Sequence, residues 1–216
     1  MKRKMKISIK ESKHVLLFSL FILMETFYFL TQLRDVEYNI IHLPLDDAIP
    51  FLPVFVIPYV IWYAYVPAGM LYNCFTDKKA FYKQILTMVA GMALSIIIFC
   101  IYPTAVDFRP SAEGDGVFLW ICRLLFASDK PINVFPSMHC YEAVIVHLTV
   151  FRNEKLRKNI SLRVGSLILS VLICLSTVFI KQHSVADIFG GVALAFILYF
   201  IVYTLPEMIK KKRQAT

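Results

Sequence analysis

The chain has 216 residues, of which 58% are hydrophobic and only 18% are charged, and its mean hydropathy is +0.65. A water-soluble domain of this length needs more charge to cover its surface, so the composition excludes a soluble globular protein and predicts an integral membrane protein. The net charge of +8 needs no nucleic-acid partner if most of it lies in loops on one side of a membrane.

Six apolar stretches follow one another along the chain, and they cover residues 15–33, 51–74, 81–102, 139–151, 164–180 and 185–205. A bilayer core about 30 Å thick takes roughly 20 residues in a helix, so the fourth stretch is short and is expected to recruit residues from its flanks. Because a membrane span can leave no backbone group unpaired, all six are predicted to be α-helices. The predicted fold is all-α, with one six-helix membrane domain at 15–205 between basic segments at 1–14 and 206–216.

The loops alternate in positive charge. Segments with many Lys and Arg residues are 1–14, 75–83, 152–163 and 207–216, which hold six, three, five and four of them. The intervening loops 34–50 and 103–137 hold one and three. By the positive-inside rule this pattern predicts a multi-pass protein of the cytoplasmic (plasma) membrane with both termini cytoplasmic. Most of the positive charge then serves to set the orientation of the chain in the membrane, and some of it attracts anionic lipid.

The polar residues that this apolar chain retains gather in three clusters, which the topology brings to the outer face: 102–110, 135–139 and 181–187. In the middle cluster, Pro136 is suited to the first turn of a helix. The amides of residues 137–139 would then form an anion site, to which the Ser137 hydroxyl adds a donor. His139 on the same turn is placed to protonate a leaving oxygen. The alternative is an ordinary helix start with a histidine at the interface.

His183 and Asp187 of the third cluster are four residues apart, so a helix places them on one face. A carboxylate at the membrane boundary needs a partner, and Asp187 would fix the imidazole tautomer and leave the other ring nitrogen as a nucleophile. A purely structural His–Asp pair is the alternative. Lys181 and Arg109 add fixed positive charge that suits phosphate. The His and carboxylate spacing predicts no metal site and no cofactor.

Four further polar residues lie in or between the predicted spans. Glu25 and Glu142 are carboxylates within predicted spans and hence functional candidates, although structural roles are favoured. Glu142 lies one turn after His139 and would support it. Arg123 is a possible phosphate contact along the outer surface. Asp129 is expected in a solvated loop.

The motif Pro136-Ser137-Met138-His139 resembles the second signature of the type-2 phosphatidic acid phosphatase superfamily. The spacing Ser176…His183…Asp187 resembles the third, and Arg109-Pro110 matches the end of the first. The resemblance implies that His183 attacks phosphorus to form a phosphohistidine, that Asp187 orients it, and that His139 protonates the leaving group. It also implies that Arg109 and Ser137 hold the phosphate.

Two positions depart from the family pattern. Tyr102 stands where the first signature has lysine, and Thr177 stands where the third has arginine. We expect Lys181, four residues after Thr177, to supply the missing cation from the same helical face. The Tyr-Pro-Thr…Arg-Pro form resembles the branch that contains the inositol phosphorylceramide synthases.

The expected function is therefore a membrane lipid-phosphate phosphatase that cleaves a phosphate ester at the extracytoplasmic leaflet, with a lipid phosphate as substrate. Within the enzyme class the alternatives are a polyprenyl diphosphate phosphatase and a phospholipid headgroup phosphotransferase. The alternative from another class is a transporter or channel whose polar residues line a path, which the gathering of these residues at one face disfavours.

Overall fold

A computed structural model describes residues 13–215, which are mostly helical. The basic segment expected at 1–14 lies outside the described residues except for its last two. The α-helices are α1 (Phe18–Thr31), α2 (Pro44–Ala48), α3 (Val56–Thr76), α4 (Lys78–Ile101), α5 (Val117–Ser128), α6 (Met138–Val150), α7 (Ile160–Phe179), α8 (Val185–Tyr199) and α9 (Leu205–Ala215). Short 3-10 turns precede three of them, at Lys13–Leu17, Pro53–Phe55 and Leu156–Lys158, and a π-helical segment, Phe200–Thr204, joins α8 to α9. Two short strands, β1 (Asn39–Ile40) and β2 (Thr104–Ala105), pair in parallel.

Five helical segments within the described residues are long and apolar enough to cross a membrane. They are His14–Thr31, Pro53–Thr76, Lys78–Ile101, Ile160–Phe179 and Val185–Gln214. Five of the six predicted stretches are thus helices of spanning length. The last of them continues without a break through α9, so the expected basic tail extends the final long helix.

The fourth predicted stretch differs from the others. Helix α6 has 13 residues, about 20 Å at 1.5 Å per residue, and turns and loop flank it on both sides. The expectation that it recruits helical residues from its flanks is therefore wrong. Ten of its residues are buried, because α3, α4, α7 and α8 pack around it. The central position of α6 replaces contact with lipid by contact with other helices.

A buried polar network closes one end of the bundle. Asn73 on α3 donates to the side-chain oxygen of Gln84 on α4 (2.8 Å), and Gln84 donates to Thr149 Oγ1 on α6 (3.1 Å). Asn153 in the following turn donates to Asn73 Oδ1 (2.7 Å). Beside this network the guanidinium of Arg152 pairs with Glu207 at 2.9 Å. The Lys- and Arg-rich segments 75–83, 152–163 and 207–215 gather at this end, which we call the basic end.

Loops 32–55, 102–116, 129–137 and 180–184 meet at the opposite end. The β1–β2 pair joins the first two of these loops, and Leu52 N donates to Phe179 O (2.9 Å) to join the first to the last. Asn133 N donates to Thr104 O (2.6 Å), which ties in the third. All three polar clusters therefore lie at one end of the bundle.

Candidate active site

His183 lies in the turn between α7 and α8, and only one of its ring nitrogens is engaged. Nδ1 is 3.1 Å from the carbonyl oxygen of Val134 and 3.3 Å from Asp187 Oδ2. Both are acceptors, so Nδ1 carries the proton and Nε2 keeps its lone pair. Within the described residues no protein group is hydrogen bonded to Nε2. His183 therefore contacts Asp187, but it does so from the turn before α8, so the expectation that a helix places the two residues on one face is wrong. The Val134 carbonyl is a second acceptor that no sequence pattern predicted.

Asp187 holds this position because it also caps α8. Ser184 is the N-cap residue, and its amide donates to Asp187 Oδ2 (2.8 Å) while its hydroxyl accepts from Ala186 N (3.2 Å). This reciprocal capping satisfies amides that a helix start leaves unpaired. Asp187 is fully buried, so its carboxylate reaches His183 from a fixed position.

A second carboxylate, Asp46 of α2, clamps the same helix end. Its Oδ2 accepts from the Ser184 hydroxyl (2.6 Å) and its Oδ1 accepts from Val185 N (2.9 Å). Asp46 is only 2% exposed, although it comes from a loop far away in sequence. Its position in a short acidic helix start gives no sign of a partner on α8, so this contact could not be predicted from the sequence.

The environment of His183 sets its protonation. Burial alone would lower the pKa of this imidazole, but the hydrogen bond and negative charge of Asp187 outweigh burial, so the pKa lies above its usual value. The neutral nucleophilic form therefore predominates only at pH values above that raised pKa.

His139 on the first turn of α6 faces His183, with ring centroids 5.6 Å apart at an interplanar angle of 66°. Two aromatic rings also contact it, with the Trp62 ring centroid 4.2 Å away and the Tyr59 ring centroid 4.5 Å away. His139 Nε2 is buried and has no hydrogen-bond partner within the described residues. The two histidines to which one reaction was assigned are thus adjacent, and one nitrogen of each has no hydrogen-bond partner in the part of the chain that the structure describes.

Ser137 is the N-cap residue of α6, so the expectation that Pro136 lies in the first turn of this helix is wrong. Pro136 precedes the cap and is not in the first turn, and the Ser137 hydroxyl accepts from Cys140 N (3.4 Å). The Ser137 amide, expected to be a free donor, binds the carbonyl oxygen of Asp187 (3.1 Å). The approach of α8 accounts for this, because Gly191 lies so close that a Cβ there would be 2.3 Å from the Ser137 carbonyl oxygen.

Arg109, in the loop 102–116, is held beside the turn that carries His183. Its Nη1 donates to Gln182 Oε1 (2.7 Å), next to His183 in the chain, and to the Asp129 carbonyl oxygen (2.8 Å). Its guanidinium also lies over the Phe126 ring, 4.6 Å from the centroid. The structure thus brings the first cluster to the third, as predicted.

The expectation that Asp129 lies in a solvated loop is wrong. It is 5% exposed, and its carboxylate accepts from Tyr59 (2.8 Å), Tyr28 (3.2 Å) and Gln32 (3.1 Å). Tyr59 in turn contacts His139, so these donors connect the Arg109 loop to the histidines. The buried role of Asp129 depends on three distant donors that no local pattern identifies.

Lys181 does not continue the face of α7. The helix ends at Phe179, and Lys181 adopts a left-handed backbone with φ of 61°. The Thr177 carbonyl accepts the amides of Gln182 (2.9 Å) and His183 (3.1 Å), which ends the helix. The Lys181 ammonium is 2.5 Å from the Asp46 carbonyl oxygen. The expected shared face of Thr177 and Lys181 is therefore wrong, and phosphate binding by Lys181 stays a prediction.

Arg123 and Glu142 were the two possible site residues, and the structure shows the surroundings of each. Arg123 donates to the carbonyl oxygens of Ala112 (3.0 Å) and Gly114 (2.9 Å), so it braces the loop that carries Arg109. Glu142 is fully buried one turn below His139, and neither carboxyl oxygen has a partner within the described residues. Among residues 13–215 no group of three or more His, Cys, Asp or Glu side chains is placed to hold a metal ion.

One comparison with known proteins found a match. The family model described as the PAP2 superfamily matches residues 121–201, a range that includes His139, His183 and Asp187 and leaves Arg109 outside. No curated protein and no solved structure gave a significant match to the chain. The family match indicates a phosphatase-type activity. The match covers less than half of the chain, and it supports the resemblance to the type-2 phosphatidic acid phosphatase superfamily that the motifs indicate.

Proposed function

We propose that the chain is a membrane lipid-phosphate phosphatase in which His183 is the nucleophile. The observation that carries the proposal is the engagement of Nδ1 by Val134 and Asp187, which leaves the Nε2 lone pair available. Nε2 attacks phosphorus, the P–O bond to the lipid breaks, and phosphohistidine forms. His139 gives a proton to the departing alkoxide. A water molecule then attacks phosphorus, loses its proton to His139, and releases phosphate and free His183.

Fixed positive charge supports this chemistry at the same end of the bundle. Arg109 lies beside Gln182 and is held by backbone and side-chain acceptors, so its guanidinium is oriented before the phosphate arrives. Ser137 and Lys181 complete the proposed phosphate contacts. Such groups stabilise the charge on the transferring phosphoryl oxygens, and the proposal includes no metal ion.

The proposed location of the site is the extracytoplasmic leaflet of the plasma membrane. The histidines and the basic end lie at opposite ends of the bundle, and the positive-inside rule assigns the basic end to the cytoplasm. The proposal treats α6 as the sixth, shortened crossing, which leaves both termini cytoplasmic. The partners are then the bilayer and a lipid phosphate, with no nucleic acid.

A headgroup phosphotransferase is the second candidate, since an alcohol in place of water would resolve the same phosphohistidine. The nucleophile geometry supports both, whereas a transporter needs polar groups along a path between the two ends. Assays with and without alcohol acceptors separate the two enzyme reactions.

The test is phosphate release by purified protein from a panel of lipid phosphates. His183→Ala should abolish release and the acid-labile phosphoenzyme. His139→Ala should lower activity on alkyl esters by roughly a hundredfold or more and recover with a good leaving group, which needs less protonation. His147→Ala is the matched control, because His147 lies on the same helix and contacts Ser166; it should stay near normal.

A phosphoenzyme of normal yield in His183→Ala would contradict the assignment. The same assay in excess chelator tests the metal independence, because complete loss of release that magnesium restores would require a metal site.

A further inference from the structure

A cavity of about 180 Å³ lies between α1 and α3. Its apolar lining comes from Phe21, Phe29, Val66 and Pro67. Helix α1 packs mainly on α4, so the cleft toward α3 faces the surroundings of the bundle, and Phe29 on its rim is 46% exposed. In a membrane this opening faces the lipid.

Two polar groups line the cavity without a partner. Trp62 is 6% exposed, and its Nε1–H donates to no group within residues 13–215. The Oε1 atom of Glu25 is likewise buried and unpaired. Unpaired polar groups are costly at membrane depth, so this donor and this carboxyl point to a ligand that supplies the missing hydrogen bonds.

The cavity adjoins the reaction centre through Trp62. The same indole that lines it stacks on His139 at 4.2 Å between ring centroids. Trp62 is six residues from the start of α3, and Glu25 is six from the end of α1, so both lie roughly 9 Å below the end that carries the site. This is the depth at which the first carbons of a lipid lie when its phosphate is at the membrane surface.

We infer that this cleft binds the first part of the lipid substrate's chain, and that the preferred substrate carries a hydroxyl group close to its phosphate ester. The hydroxyl oxygen accepts from Trp62 Nε1–H and its proton is donated to Glu25, so one group satisfies both. The inference rests on the proposed function and names its substrate class, hydroxylated lipid phosphates. Polyprenyl phosphates, which have no second polar group, would leave Trp62 and Glu25 unpaired.

The test compares 1-acylglycerol 3-phosphate, which has a free 2-hydroxyl, with its 2-deoxy analogue and a polyprenyl phosphate. The kcat/KM of the unaltered protein should favour the hydroxyl compound over the deoxy compound by about tenfold or more. In Glu25→Leu and Trp62→Phe this ratio should fall toward one. Because both substrates are assayed on one preparation, the ratio does not depend on the fraction that folds. Thr26→Val, an exposed change beside Glu25 on α1, should keep the ratio.

A binding measurement separates this inference from the proposed function. Of the two tryptophans, Trp120 is replaced in Trp120→Phe, so that emission reports on Trp62 alone, and His183→Ala prevents turnover. The hydroxyl lipid should change the Trp62 emission at roughly tenfold lower concentration than the deoxy lipid. Selective binding without hydrolysis of any lipid phosphate by the unaltered protein would overturn the proposed function alone. Hydrolysis or binding that ignores the hydroxyl, or a ratio that Glu25→Leu and Trp62→Phe leave unchanged, would overturn the inference.

Discussion

At the scale of single residues, the carboxylate of Asp187 serves two neighbours at once. One oxygen, Oδ2, accepts the Ser184 amide at 2.8 Å and faces His183 Nδ1 at 3.3 Å. The capping bond holds the carboxylate in place, and the fixed carboxylate holds the imidazole. A change at Asp187 therefore alters the start of α8 as well as the tautomer of His183.

The raised pKa of His183 predicts how kcat/KM depends on pH. Because the neutral imidazole is the nucleophile, kcat/KM should rise as pH increases through a pKa above the usual value for histidine. Asp187→Asn removes the charge that raises this pKa and leaves the burial that lowers it. The rising limb should move to lower pH, and the plateau should fall by roughly 10² to 10⁴, as when an orienting aspartate is lost elsewhere.

The measurement is a pH–rate profile of kcat/KM for the two proteins. Asp47→Asn is the control, because Asp47 is an exposed acid at the same end that contacts His42. A limb that stays in place in Asp187→Asn would mean that His183 does not control the rate.

At the scale of elements, the site depends on the close approach of α8 to the start of α6. Asp46 and Ser184 hold the N-terminus of α8, and Gly191 lets its first turns lie against Ser137. The same contact gives the Ser137 amide its acceptor, the Asp187 carbonyl. Two helices that are far apart in sequence thus carry His139, Asp187 and the adjoining His183 to one place.

Gly191→Ala tests this packing. The added Cβ would lie 2.3 Å from a backbone oxygen, so the helices must separate, at a cost of about 1–3 kcal/mol in the free energy of unfolding. Activity should fall by more than the loss of folded protein explains, because the histidines move apart. The control is Gly165→Ala on α7, where a Cβ meets nothing within 4 Å; it should be neutral or stabilise by roughly 0.5–1 kcal/mol.

The measurement combines thermal unfolding with activity per folded molecule. Equal behaviour of the two alanine variants would contradict the close packing of α8 on α6.

At the scale of the whole molecule, the two ends of the bundle differ in their charge. Lys158 lies at the basic end, and Asp115 lies in the loop that leads into α5 at the opposite end; both are exposed. Ser137 itself is fully buried, so labels must be placed in the outer loops.

The topology is tested with single cysteines in a chain whose own five have been replaced. Asp115→Cys should react with an impermeant thiol reagent in intact cells, and Lys158→Cys should react only after permeabilisation. The reverse pattern would invert the proposed orientation and put the histidines on the cytoplasmic side.

Much of this arrangement is predictable from the sequence alone. Apolar stretches of spanning length are typical of a protein that crosses a bilayer, so all five long helices were found from composition and length. The pair His183 and Asp187 was found from its spacing of four, although His183 contacts Asp187 from the turn before α8 and not from a shared helical face. These properties are local, and a local property can be read in the order of the residues.

The rest depends on contacts between distant segments, which only the tertiary structure decides. The burial of α6 follows from the four helices around it, and a short stretch of sequence cannot record its neighbours. Asp46 and Asp129 find their partners on other elements, and Lys181 leaves the helical face because α7 ends before it. The sequence by itself determined a membrane protein with paired histidines and an aspartate at one face. The fold decided which buried donors and acceptors hold them, because each of these hydrogen bonds joins residues whose separation in the sequence carries no signal.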